Sequence, residues 1–117
     1  AEIDATVTSQ AEKYAGHLTV THTDPPYLEF MPPGINKSTG LAAVAAHYLV
    51  EPAHVVAFGD GNNDVLMLRW AGMGIAMSHA KPAAKAAADF TVADAPVTES
   101  LARGIEYLLH SAGTRTR

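Results

Sequence analysis

The hexapeptide Gly59-Asp60-Gly61-Asn62-Asn63-Asp64 stands directly after the apolar run Val55-Val56-Ala57-Phe58 and directly before Val65-Leu66-Met67-Leu68. A short apolar run flanked by turn residues suits a parallel strand buried on both faces. The stretch from Asp64 to Ala71 is apolar almost all round, as a buried helix is, with Gly72 placed to cap it. Strand, glycine-rich turn and helix in that order build an open α/β sheet, whose ligands sit outside the carboxyl ends of the strands. The hexapeptide therefore falls where such a fold binds its ligand. Its two carboxylates, four residues apart among glycines that allow tight turns, are the oxygen donors a hard cation such as Mg²⁺ takes. A polar turn that merely caps the next helix is the competing reading. The density of acid, amide and glycine at one strand end favours the functional loop.

The rest of the chain extends the pattern. At 117 residues there is room for one compact core, and 48% hydrophobic against 17% charged residues is a globular composition. Ala5 to Tyr14 reads as a short helix stopped at Gly16. Leu18 to Thr23 and Tyr27 to Met31 alternate apolar and polar residues around Asp24-Pro25-Pro26, which predicts a hairpin. After Pro32-Pro33-Gly34, Asn36 can cap a helix from about Lys37 to Leu49, with Leu41, Val44, Ala45 and Tyr48 as its apolar stripe. Gly74 to Met77 and Phe90 to Val92 complete a set of three strands, separated by a helix from Pro82 to Ala88. A final helix, capped by Thr98, aligns Val97, Leu101, Ile105 and Leu108 and pairs Glu99 with Arg103; the tail is expected to fray from Ser111. The fold class is thus α/β, a partial doubly wound, Rossmann-like parallel sheet over 34–110, preceded at 1–33 by a helix and hairpin of different architecture and followed by a tail at 111–117.

Lys37 is the second candidate site residue. A cation in the first turn of a helix opposes the macrodipole and gains nothing there, so an anionic partner would explain it; a solvated surface lysine is the plainer reading. Ser38 and Thr39 could add hydroxyl or backbone donors beside it. A net charge of -4, with no basic cluster beyond Arg115 and Arg117, argues against nucleic acid. No apolar stretch is long enough to span a bilayer. The lack of cysteine removes thiolate metal sites and fits a reducing cytoplasm. The histidines show no ligand spacing, and Met67, Met73, Met77 and Trp70 read as core. Ser100 and Ser111 lack the Gly-x-Ser-x-Gly context of a serine hydrolase.

Taken together, Tyr27-Leu-Glu-Phe-Met-Pro-Pro-Gly-Ile-Asn-Lys37-Ser-Thr-Gly-Leu41, Val56-Ala-Phe-Gly-Asp60-Gly-Asn-Asn-Asp64-Val-Leu-Met-Leu68 and the later Ala71-Gly-Met-Gly-Ile-Ala-Met77 and Ala86-Ala-Ala-Asp-Phe-Thr91 resemble the Cof-type branch of the haloacid dehalogenase superfamily. The resemblance implies a phosphatase that works through an aspartyl-phosphate, with Mg²⁺ neutralising the phosphate. It implies Asp60 as metal ligand, Asp64 as supporting carboxylate or second ligand, and Asn63 as a group orienting the phosphate or the nucleophile. Lys37 matches the lysine that contacts the nucleophile and the transferring phosphoryl oxygens, so Lys37 and Asp60 are the catalytic candidates. The substrate implied is a small phosphorylated metabolite.

The same resemblance carries an expectation about extent. Family members open on Asp-x-Asp-Gly-Thr, which supplies the nucleophile, and that string does not occur in these residues. The chain is therefore expected to be the carboxyl-terminal portion of a longer protein and inactive alone, with 1–33 as the last helix and hairpin of an α+β cap domain. Two alternatives remain: the phosphorylation domain of a P-type ion pump, which shares the Gly-Asp-Gly-x-Asn-Asp loop, and a non-catalytic module that self-associates through an open sheet edge.

Overall fold

A computed structural model describes residues 2–22 and 28–115, with side chains at 5–20 and 28–111. The expected Asp24-Pro25-Pro26 turn lies outside the described residues. Helix α1 (Glu2–Lys13) starts three residues earlier and ends one residue earlier than expected, and in the turn that follows Gly16 takes a φ of +82° at no steric cost. Strands β1 (Thr19–His22) and β2 (Leu28–Met31) pair antiparallel, with Val20 opposite Phe30. The ring of Phe30 meets Tyr14 edge-on at 5.9 Å and ties the hairpin to the α1 end.

Helix α2 (Lys37–His47) opens on a full capping box. Asn36 Oδ1 accepts from the Thr39 amide at 3.1 Å, and Thr39 Oγ1 accepts from the Asn36 amide at 3.0 Å. The Thr39 hydroxyl is thus spent on the cap. The helix stops two residues before the expected Leu49, which takes a left-handed φ of +58°. Leu49 and Val50 then donate to the carbonyls of Ala46 and Ala45 at 3.1 and 2.8 Å, closing a Schellman motif with leucine at the usual glycine position. Half of the predicted stripe is solvent-facing. Leu41 and Ala45 pack inward, whereas Val44 and Tyr48 are exposed because α2 covers the core with only one narrow edge.

Strands β3 (Val56–Gly59), β4 (Met73–Ala76) and β5 (Phe90–Thr91) form one parallel sheet in the order β3-β4-β5, as the strand–helix alternation predicts. Helix α3 (Val65–Trp70) links the first two and α4 (Pro82–Ala87) the second two. Leu68 and Ile75 are completely buried at the centre, with Ala57, Ala76, Ala84 and Val92 around them and Met67, Trp70 and Met73 packed against the outside. Gly72 is not a left-handed cap. It is needed because any Cβ there would stand 2.4 Å from the Ala53 carbonyl oxygen.

Helix α5 (Val97–Arg115) departs most from expectation. Thr98 lies inside the helix rather than capping it, and the helix runs past Ser111 to Arg115 despite Gly113. The face against the sheet holds buried Ser100 and Gly104, where a Cβ would already meet Phe58 at 3.0 Å. Tyr107 stacks on Phe90 with centroids 3.7 Å apart. Val97, Leu101 and Ile105 of the predicted apolar face are exposed instead. Small residues let α5 approach the sheet closely, so the periodicity of its larger side chains marks the outer side. The Glu99–Arg103 pair forms, at 3.4 Å.

Candidate active site

The site grows from the carboxyl end of β3. The Met77 amide donates to Gly59 O at 3.0 Å and the Lys81 amide to Asp60 O at 2.8 Å, so the loops after β3 and β4 lie side by side. Beyond Gly61 the chain makes a single tight turn, Asn62–Asp64, that aims the Asp64 side chain back under its own loop. Oδ2 of Asp64 accepts from the amides of Asp60 and Gly61 at 2.9 and 3.0 Å. Glycine is required at position 59 because a Cβ there would stand 2.6 Å from Cβ of Asp64.

Oδ1 of Asp64 accepts from Lys37 Nζ at 2.5 Å. Asp64 is buried while half of the Lys37 side chain remains open. Burial alone would push the Asp64 carboxyl up; the Lys37 ammonium and the two loop amides outweigh it, and the group is held below the usual carboxylate range. Asp64 is therefore ionised at neutral pH, and its charge fixes the lysine that the helix dipole would otherwise disfavour.

Asp60, in contrast, projects from the loop with 56% of its side chain exposed. Its Oδ2 lies 3.1 Å from Nε2 of His79, on the loop after β4. Lys37, Asp60 and Asp64 line a cleft of about 360 Å³ floored by Phe58, Met67 and Met77. Asn63 does not enter that cleft. It lines an adjoining one of about 470 Å³, together with Asn36, Lys37 and Asn62 on the sheet side and Thr19, Glu29 and Met31 on the hairpin side. Lys37 borders both, so the predicted site residues come together around one lysine.

The donor chemistry suits Mg²⁺, which binds through one or two carboxylates and completes its octahedron with water and phosphate oxygens. Asp60 offers an accessible carboxylate of that kind, whereas both oxygens of Asp64 are already engaged. Among the described residues no three His, Asp or Glu side chains converge into a closed metal cage. Sequence reasoning missed His79, which looked isolated, and the buried Ser100. The signal available for His79 was its place three residues beyond β4, which neighbours β3, since adjacent parallel strands deliver their carboxyl-end loops to one place.

Residues 1–105 match the family model described as haloacid dehalogenase-like hydrolase. Over 90 residues the chain is 33% identical to the 5-amino-6-(5-phospho-D-ribitylamino)uracil phosphatase YcsE of Bacillus subtilis, covering 77% of this chain and 36% of that protein. Its fold superposes with a TM-score of 0.73 on a haloacid dehalogenase-like hydrolase from Bacteroides thetaiotaomicron, at 30% identity over 92% of this chain and 40% of the other. It superposes at 0.77 on the HAD subclass IIB sugar phosphatase BT4131, at 27% identity over 86% of this chain and 38% of that one. The chain thus spans well under half the length of each of these relatives. With the three-stranded parallel sheet and the Asp60–Asp64 loop at its carboxyl edge, the chain belongs to the haloacid dehalogenase-like hydrolases.

Proposed function

We propose that this chain carries the cation-facing and phosphate-facing groups of a Mg²⁺-dependent phosphatase acting on a small phosphorylated metabolite. The observation that carries the reading is the convergence of Lys37, Asp60 and Asp64 on one cleft at the carboxyl end of β3. Asp60 holds the cation, and Asp64, the second candidate ligand, acts chiefly by fixing Lys37 and the loop. Lys37 directs its ammonium at the phosphoryl oxygens, and the Asn63 amide orients the phosphate from the neighbouring cleft. Bound beside Asp60, Mg²⁺ supplies charge neutralisation at the phosphate. The phosphatase named among the relatives acts on a phosphorylated metabolite, which supports the substrate class.

The test is phosphate release from an aryl phosphate by the full protein that carries this chain, with and without Mg²⁺ and with Asp60→Asn. The 117 residues taken alone are expected to be inactive, because the Asp-x-Asp-Gly-Thr nucleophile string is not among them. Mg²⁺-dependent turnover by the 117 residues, abolished by Asp60→Asn, would refute that part.

A second reading is favoured by one observation. Among the described residues β3 has no partner on its outer edge, and Leu101 of α5, which lines a cleft with Phe58 and Gly59, is exposed. Such an edge invites pairing, and a self-associating module is the function it would serve; light scattering that finds only monomer would remove this reading. Among the described residues no helix is long and apolar enough to cross a membrane, and a cytoplasmic location is part of the proposal.

A further inference from the structure

The loop from Ser78 to Lys81 is fixed at both ends, and the residue it displays is His79. At the near end the Ser78 amide donates to Ser100 Oγ at 2.9 Å, and Ser78 Oγ lies 3.1 Å from both Ser100 Oγ and Ala95 O. At the far end the Ala80 amide donates to Met77 O at 3.0 Å and the Lys81 amide to Asp60 O at 2.8 Å. Ser100 is fully buried on the inner face of α5. A hydroxyl in that position costs desolvation unless it is bonded, and among the described residues its bonds go to Ser78.

The His79 imidazole, one third exposed, places Nε2 3.1 Å from Asp60 Oδ2. A carboxylate oxygen accepts, so the bond forms in the tautomer that carries its hydrogen on Nε2. The bond engages Oδ2 and restrains a side chain that is otherwise more than half open to water. Among the described residues no hydrogen bond engages Oδ1, which is left as the donor oxygen of Asp60.

We infer that His79 is a positioning residue for Asp60, and that Ser100 holds His79 in place through Ser78. This rests on the reading of Asp60 as the cation ligand. A side chain that must adopt one rotamer before binding loses less freedom when it binds. Groups that hydrogen-bond a metal-ligating side chain typically govern about 10–100-fold in metal affinity.

The experiment is a titration of the full protein with Mn²⁺, a spin-active ion with the same oxygen preference, in which free ion is counted by electron paramagnetic resonance. His79→Leu is expected to weaken binding about 10-fold. His79→Asn, which keeps an N–H donor, restores affinity to within about threefold of the parent. Ser100→Ala also weakens it, and Ser100→Ala combined with His79→Leu is no weaker than His79→Leu alone, because both changes release the same carboxylate. Thermal melts of each variant separate this from general loosening, and exposed His79 keeps the test decisive even if Ser100→Ala fails to fold. Unchanged Mn²⁺ affinity in His79→Leu, while Asp60→Asn weakens it, overturns the positioning role alone. Unchanged affinity in Asp60→Asn overturns the reading of Asp60 and this inference together.

Discussion

The Lys37 ammonium lies 2.5 Å from Oδ1 of Asp64, joining the first turn of α2 to the loop after β3 across 27 residues of chain. The pair is lopsided, with a buried carboxylate and a half-exposed amine. Two loop amides hold the other carboxylate oxygen, so Asp64 is a fixed anchor that aims Lys37 into the cleft. A positive charge held in place before substrate arrives needs no reorganisation when charge develops on a phosphate.

That anchor should register in the pH dependence of stability. The Asp64 carboxyl is depressed in the folded state, so the stability it contributes is present above the unfolded carboxylate value, about 3.9. It is lost as pH falls from there through the folded value. Melting temperatures followed downward from pH 6 should drop less steeply below about pH 4 for Asp64→Asn than for the parent, although the variant melts lower at neutral pH. Parallel slopes would mean that Asp64 is not held ionised by Lys37 and the loop.

Two glycines should respond oppositely to alanine. At Gly59 the new Cβ would collide with Asp64 Cβ at 2.6 Å, and neither β3 nor the tight turn can yield without releasing the carboxylate. Gly59→Ala should destabilise by about 1–3 kcal/mol. Gly40 sits inside α2 with nothing within 4 Å of its would-be Cβ, and Gly40→Ala should stabilise by roughly 0.5–1 kcal/mol. Urea midpoints on the two variants decide both.

Leu49 closes the α2 Schellman motif at φ +58° and is 92% exposed, so its side chain gains little from packing. Leu49→Gly should raise stability by up to about 1 kcal/mol, because glycine adopts that backbone without the steric penalty. A lowered melting temperature would show that the leucine makes contacts that outweigh its strain.

The sequence makes the strands and the loop legible because both depend on local signals. A four-residue apolar run followed by glycine and acid identifies β3 and the turn beyond it, and Asn36 marks the start of α2 to the residue, whereas the part Thr39 plays in the capping box shows only in the structure. Helix faces were harder to read. On α5 the packing side is set by Ser100 and Gly104, which no hydrophobic period reveals, so the face that aligns Val97, Leu101 and Ile105 lies outward. The Lys37–Asp64 and His79–Asp60 contacts join residues 27 and 19 positions apart, so no local period reports either, and only the shared strand-end location of their loops hints at the second.

The measurement that bears most directly on the central claim is Mg²⁺-dependent phosphate release by the full protein with Lys37→Met and Asp60→Asn. Each substitution is expected to cut kcat/KM on the order of 100-fold or more, with Asp60→Asn also weakening the response to Mg²⁺ and leaving the fold intact, since Asp60 is exposed. Activity within threefold of the parent in either variant, at unchanged melting temperature, would contradict the account.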